Sequence, residues 1–96
     1  GKYPVSPWVW EANRALSALY TGSTRRSIEG AQRARTLLME EQEGGADLGT
    51  VMALEAEALR LDGRINDALQ RARRAVELAP DSSSANLILR NLERLR

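Results

Sequence analysis

The chain has 96 residues and a net charge of +1, so it forms one small domain whose overall charge favours neither DNA nor an anionic membrane as a partner. It contains no Cys and no His, which excludes disulfides, thiolate and imidazole catalysis, and nearly every transition-metal site. Phe is absent, β-branched residues are sparse, and no apolar run approaches the ~20 residues of a membrane span, so we expect an all-α protein without a span.

The first two predicted helices are bounded by capping residues and glycines. Helix one begins at Ser6-Pro7, because Ser is a preferred N-cap and Pro suits the first helical position, and it ends at Gly22. Helix two follows Ser23-Thr24 and runs to about Gln42, where Gly44-Gly45 stops it. Their predicted buried residues are Trp8, Val9, Ala12, Ala15, Leu16 and Leu19, then Ile28, Ala31, Ala34, Leu37 and Leu38.

Three further helices follow from the same kinds of signal. Asp47 is expected to cap helix three, Gly63 to end it, and Pro80 to end helix four. Residues Asp81 to Ser83 offer caps for helix five. The predicted buried residues are Val51, Met52, Leu54, Ala56, Ala58, Leu59 and Leu61, then Ile65, Ala68, Leu69, Ala72, Ala75, Val76 and Ala79, then Ala85, Ile88, Leu89, Leu92 and Leu95.

The predicted turns are short, and short turns place consecutive helices antiparallel. We therefore predict about five antiparallel helices, arranged as two helical hairpins plus a C-terminal capping helix. Residues 1–6 are expected to form an extended N-terminal tether.

Small residues alternate with bulky ones in the second predicted hairpin. The matching positions are Ala56, Leu59, Gly63, Ala68, Ala75 and Pro80. In this pattern residues 49–82 resemble one tetratricopeptide repeat, a helix–turn–helix unit of 34 residues. Small residues are needed where the two helices cross closely. Glu55 departs from the pattern, since the family usually has Leu there.

The rest of the chain matches this repeat less well. The sequence "AQRARTLL" (31–38) echoes "LQRARRAV" (69–76), which suggests a degenerate first copy with a longer turn from Tyr20 to Ser27. We thus divide a single domain into a degenerate first repeat (7–43), a well-matched repeat (47–82) and a capping helix (83–96).

In the tetratricopeptide family the first helix of each pair lines a concave groove that binds a peptide or another protein. The resemblance places eight residues in such a groove: Thr50, Ala53, Glu57, Arg60, Ser84, Leu87, Asn91 and Arg94. Glu57 would repel a carboxylate, so we do not expect the subtype that clamps a chaperone's C-terminal carboxylate. Leu87 lies off the predicted buried stripe, and it is either a singly exposed leucine or an apolar contact in the groove.

Trp10 lies opposite the apolar stripe of helix one. It could be a binding hot spot, but we favour a hydrophobic staple with Val5, because these residues flank an N-cap at Ser6.

Arginine is clustered in residues 25–35 and 70–74. We interpret these clusters as solvated faces with pairs such as Arg73–Glu77 rather than as an RNA surface, because aromatic stacking partners are scarce. Acidic residues 40, 41, 43 and 47 form an acidic patch that lacks the ligand spacing of a calcium loop, and this patch is either solvated or docks a basic partner.

The leading functional hypothesis is a non-catalytic protein–protein interaction module of tetratricopeptide type. No cofactor or enzyme activity is expected, because no base activates the Ser and Thr hydroxyls and no phosphate loop is present. A narrower expectation is a bacterial lipoprotein domain in the periplasm that regulates an envelope enzyme such as a peptidoglycan synthase (a penicillin-binding protein). The alternatives are a self-association domain, which would form a homodimer, and an RNA-binding helical repeat, which the charge balance disfavours.

Overall fold

The structure is a computed structural model that describes residues 6–40 and 45–95, and it consists of five α-helices joined by short turns. The helices are α1 (Pro7–Tyr20), α2 (Thr24–Glu40), α3 (Ala46–Leu61), α4 (Ile65–Leu78) and α5 (Ser83–Arg94). No strand occurs in these described stretches. The predicted all-α class of about five helices is therefore confirmed.

Most predicted helix starts are confirmed, although the caps differ in detail. Ser82 accepts a hydrogen bond from the backbone N–H of Ala85 at 3.2 Å, as expected of an N-cap. Ser6 occupies the N-cap position of α1 without such a bond. The prediction that Asp47 caps α3 is wrong, because the N-cap is Gly45. Asp47 instead lies in the first turn, where its charge favours the helix dipole.

Several predictions concern residues outside the described part of the chain. They are the tether over residues 1–5, the packing of Val5 on Trp10, the end of helix two at Gln42, and the part that Glu41 and Glu43 play in the acidic patch.

The two hairpins, α1–α2 and α3–α4, have the same turn. Gly22 and Gly63, which are 41 positions apart, adopt φ angles of 83° and 82°. The N–H groups of Ser23 and Arg64, also 41 positions apart, close the two turns through bonds of 2.8 and 2.9 Å to backbone carbonyls five residues back. We call this correspondence the 41-residue register.

This register corrects two sequence-based expectations. The longer turn from Tyr20 to Ser27 is wrong, because α2 already begins at Thr24. The echo between residues 31–38 and 69–76 has a spacing of 38 residues, three fewer than the register. Three residues are nearly one helical turn, so the echo keeps apolar residues on the buried face without marking equivalent positions.

Small side chains fill the helix crossings at equivalent positions in both hairpins. The fully buried pairs in the 41-residue register are Ala15 with Ala56, Ser27 with Ala68, and Ala34 with Ala75. Ser27 also donates a hydrogen bond to the backbone oxygen of Ala15 at 2.7 Å. The close crossing that the alanines predict is therefore present in both hairpins.

Helix α3 lies at the centre of the stack and packs against the other four helices. It contacts α1 and α5 directly, whereas α2 and α4 do not approach each other within the described residues. Because α1, α3 and α5 lie closer together than α2 and α4, the stack is curved, with α1, α3 and α5 on its inner side. The buried Leu59, Leu69 and Leu92 join α3, α4 and α5 in one cluster, which extends to Ile28 of α2.

Three leucines that were predicted to be buried are exposed: Leu16, Leu61 and Leu95. Each lies on an inner-side helix, α1 or α3, or just after α5, and no described element covers that side of the stack. Helical spacing places these leucines in line with buried residues, but the spacing alone does not bury them.

Candidate functional site

The candidate site is the solvent-facing side of α1, α3 and α5, which we call the inner face. Consecutive helices are antiparallel, so these three run in the same direction and end at the same end of the stack. Each of them ends at an exposed apolar residue: Tyr20, Leu61 and, directly after α5, Leu95, which are 83%, 48% and 56% exposed. Tyr20 and Leu61 are equivalent in the 41-residue register, and Leu95 follows Leu61 by 34 residues. We call these three residues the apolar row.

Seven of the eight groove residues expected from the sequence are exposed or half-buried. On α3 they are Thr50, Glu57 and Arg60, and on α5 they are Ser84, Leu87, Asn91 and Arg94. The eighth, Ala53, is only 4% exposed because it packs in a cluster with Met52, Ala75 and Ala85. Ala53 therefore shapes the junction of α3 and α5 and offers little contact area.

Polar groups on α3 already have partners within their own helix. Arg60 donates two hydrogen bonds to the carboxylate of Glu57, so the charge of Glu57 is offset by a neighbour one turn away. The hydroxyl of Thr50 donates to the backbone oxygen of Ala46 at 2.9 Å. The apolar row thus adds exposed apolar surface to the inner face, beside a locally neutral ion pair.

The opposite, outer side of the stack holds a buried carboxylate that the sequence analysis did not assign to any role. Glu55 is fully buried, and one of its oxygens, Oε1, lies 3.2 Å from Nε of Arg35 and 3.3 Å from Nε of Arg71. Its second oxygen accepts a hydrogen bond from Gln32 at 3.3 Å. Arg35 and Gln32 belong to α2, and Arg71 belongs to α4.

This Glu55 cluster connects α2 to α4, whose described backbones do not approach each other closely. Neither arginine Nε makes a well-aligned hydrogen bond to Oε1, so the attraction is mainly that between charges. Two guanidinium groups face one carboxylate, and the cluster spans the gap on the outer side of the curved stack. We assign it a structural role, in holding the two outer helices at their spacing.

The cluster corrects the interpretation of the arginine-rich segments. Arg35 and Arg71 are not part of solvated faces, because they turn inward to Glu55. The expected pair Arg73–Glu77 is replaced by Arg74–Glu77 at 3.7 Å. The sequence did contain a signal: Glu55 was the position where the repeat pattern has Leu, and a buried glutamate needs positive partners.

A groove of about 780 Å³ runs between α1 and α2. Trp10 and Arg14 of α1 line it together with Arg26 and Arg33 of α2. Helical spacing places Trp10 and Arg14 on the side of α1 away from Trp8, which packs near α3. The groove is therefore at the α1 end of the stack, where no described element packs over it. Trp10 is 61% exposed there.

No protein-family model, curated protein or solved structure matches the chain. In the described stretches no group of carboxylates is arranged to hold a metal ion. No helix of the same stretches is both long enough and apolar enough to cross a bilayer.

Proposed function

We propose that this chain is a non-catalytic protein–protein interaction module of tetratricopeptide type, which binds a protein or peptide partner on its inner face. Three features support the repeat assignment: two hairpins with the same turn, small buried residues at equivalent crossings, and a fifth helix that packs on the second hairpin. Such units stack side by side and present a curved binding surface.

The observation that carries the proposal is the apolar row. Single exposed apolar side chains are common and need no explanation. Here an apolar residue lies at the corresponding end of three successive inner helices. Tyr is enriched at binding hot spots, and exposed apolar surface that recurs in one region marks interaction sites. The recurrence of this position is expected of a surface selected for binding.

The other end of the stack bears on the alternative of self-association. Helix α5 carries a polar ridge at three- and four-residue spacing, made of Ser83, Asn86, Arg90 and Glu93. A polar outer surface is what closes a repeat stack, so α5 fits a capping helix better than a homodimer contact. RNA binding is also less well supported, because ion pairs engage six arginines of the described residues: Arg33, Arg35, Arg60, Arg64, Arg71 and Arg74.

The test is capture of partners from an extract of the source organism by the immobilised wild-type chain and by two variants. Leu61→Glu places a charge in the apolar row. Met39→Glu is the matched control, since Met39 is a similarly exposed apolar residue on α2, at 58% against 48%. We expect Leu61→Glu to abolish capture of the specific partner and Met39→Glu to keep it, with unchanged helical circular dichroism in both. Equal effects of the two variants would contradict an inner-face site.

The narrower proposal, an envelope regulator of a peptidoglycan synthase, has its own readout. Labelling the captured material with a fluorescent penicillin detects penicillin-binding proteins. We expect a labelled band that is lost with Leu61→Glu. A captured partner without any labelled band would end the narrower proposal and leave the interaction module intact.

A further inference from the structure

The groove between α1 and α2 corresponds to a groove in the second hairpin, which α2 fills. In the 41-residue register, Trp10, Arg14 and Ser17 of α1 correspond to Val51, Glu55 and Ala58 of α3. In the second hairpin this side of α3 is covered by a helix, α2. In the first hairpin no described element covers the same side.

The contacts of α2 show what kind of helix fits such a groove. Its Leu38 packs with Val51 in one cluster, and its Ile28 joins a cluster that includes Ala58. Between these two apolar contacts, Gln32 and Arg35 face the buried carboxylate of Glu55. One face of an amphipathic helix, with apolar residues at both ends and a charged group between them, therefore fills the groove.

The open groove has the reverse charge at the central position. Arg14 stands where Glu55 stands in the second hairpin, and it makes no hydrogen bond or ion pair with the described residues. Arg26 also lines the groove and is likewise without an ion pair there, whereas Arg33 is paired with Glu11 at 2.8 Å. Glu29 lines the groove as well, so its charges without an ion pair to the described residues are two positive and one negative. A helix that docks here must therefore supply a carboxylate where α2 supplies a guanidinium.

We propose that the α1–α2 groove binds an acidic amphipathic α-helix of a partner protein, antiparallel to α1. Its carboxylate pairs with Arg14, and an apolar residue three positions later packs on Trp10, as Leu38 of α2 follows Arg35. A second apolar residue lies seven positions before the carboxylate, as Ile28 precedes Arg35. This site is at the α1 end of the stack and is independent of the inner face.

The experiment uses two fluorescein-labelled peptides with the sequence of residues 24–40. The parent peptide keeps that sequence, and the acidic peptide carries Gln32→Glu and Arg35→Glu. Both contain a lactam between Glu29 and Arg33→Lys, which holds the helix from the face that does not dock. Fluorescence anisotropy with the full chain measures the two dissociation constants. We expect the acidic peptide to bind the wild-type chain at least about tenfold more tightly than the parent peptide does.

The charge-swapped variant Arg14→Glu is the decisive comparison. It should reverse the preference, so that the parent peptide binds more tightly than the acidic one, and Trp10→Ala should weaken both complexes. Both side chains are exposed, and circular dichroism checks that the variants fold. Leu61→Glu should leave peptide binding unchanged, which separates this site from the inner face. No binding of the acidic peptide, equal affinity for both peptides, or a preference that survives Arg14→Glu would overturn the proposal.

Discussion

Removing the carboxylate of Glu55 should destabilise the fold more than removing the whole cluster. In Glu55→Ala, the guanidinium groups of Arg35 and Arg71 lose their shared partner at 3.2 and 3.3 Å. Breaking a buried ion pair from one side typically costs about 3–5 kcal/mol of unfolding free energy. Both arginines retain partial access to water, which lowers the cost of leaving them unpaired. We therefore expect a loss of about 3 kcal/mol, at the low end of that range.

The complementary variant replaces all three charges by apolar side chains of similar length: Glu55→Leu, Arg35→Met and Arg71→Met. The desolvation cost of the charges then disappears together with their attraction, and such replacements are commonly neutral or stabilising by about 1–4 kcal/mol. Urea unfolding followed by helical circular dichroism, with linear extrapolation to water, gives the free energies.

The control is Glu57→Ala, two positions along α3. Glu57 makes a partly exposed pair within its own helix, so its removal should cost about 0.5 kcal/mol or less. A loss below about 1 kcal/mol in Glu55→Ala, or a triple variant as unstable as the single one, would refute the reasoning that Glu55 is a buried charge held by its partners.

Three further predictions concern packing and capping, and urea unfolding measures each of them. Gly49→Ala should cost about 1–3 kcal/mol despite the better helix propensity of Ala, because the new Cβ would lie 2.8 Å from that of Ala79. Ala68→Leu should cost about 1–3 kcal/mol by overpacking a fully buried crossing, and a neutral result would contradict the close crossing of α3 and α4. Ser82→Ala should cost about 1 kcal/mol through the lost cap, whereas Ser6→Ala, where no cap bond exists, should change stability little; equal effects would contradict the capping argument.

The number of helices and most of their limits could be predicted because the signals are local. Pro7, Gly22, Gly63 and Ser82 act on the backbone within a few residues of their own position. The small residues at the crossings were also predictable in the second hairpin, since only small side chains fit where two helices cross closely.

The inner face was predicted only in part. The family pattern pointed to residues of α3 and α5, and seven of the eight are accessible. The apolar row was missed, because Leu61 and Leu95 continue stripes that are buried elsewhere along the same helices. Helical spacing shows which residues share a side, but it does not show where the neighbouring helix ends.

Helix identity, hairpin order and the all-α class follow from the order of residues along the chain, since capping, turn formation and amphipathic spacing are short-range effects. The pairing of Arg35 and Arg71 with Glu55 and the groove beside Arg14 depend on which helices become neighbours. Those contacts join residues far apart in the chain, and whether a charge is buried or exposed depends on the helix packed against it.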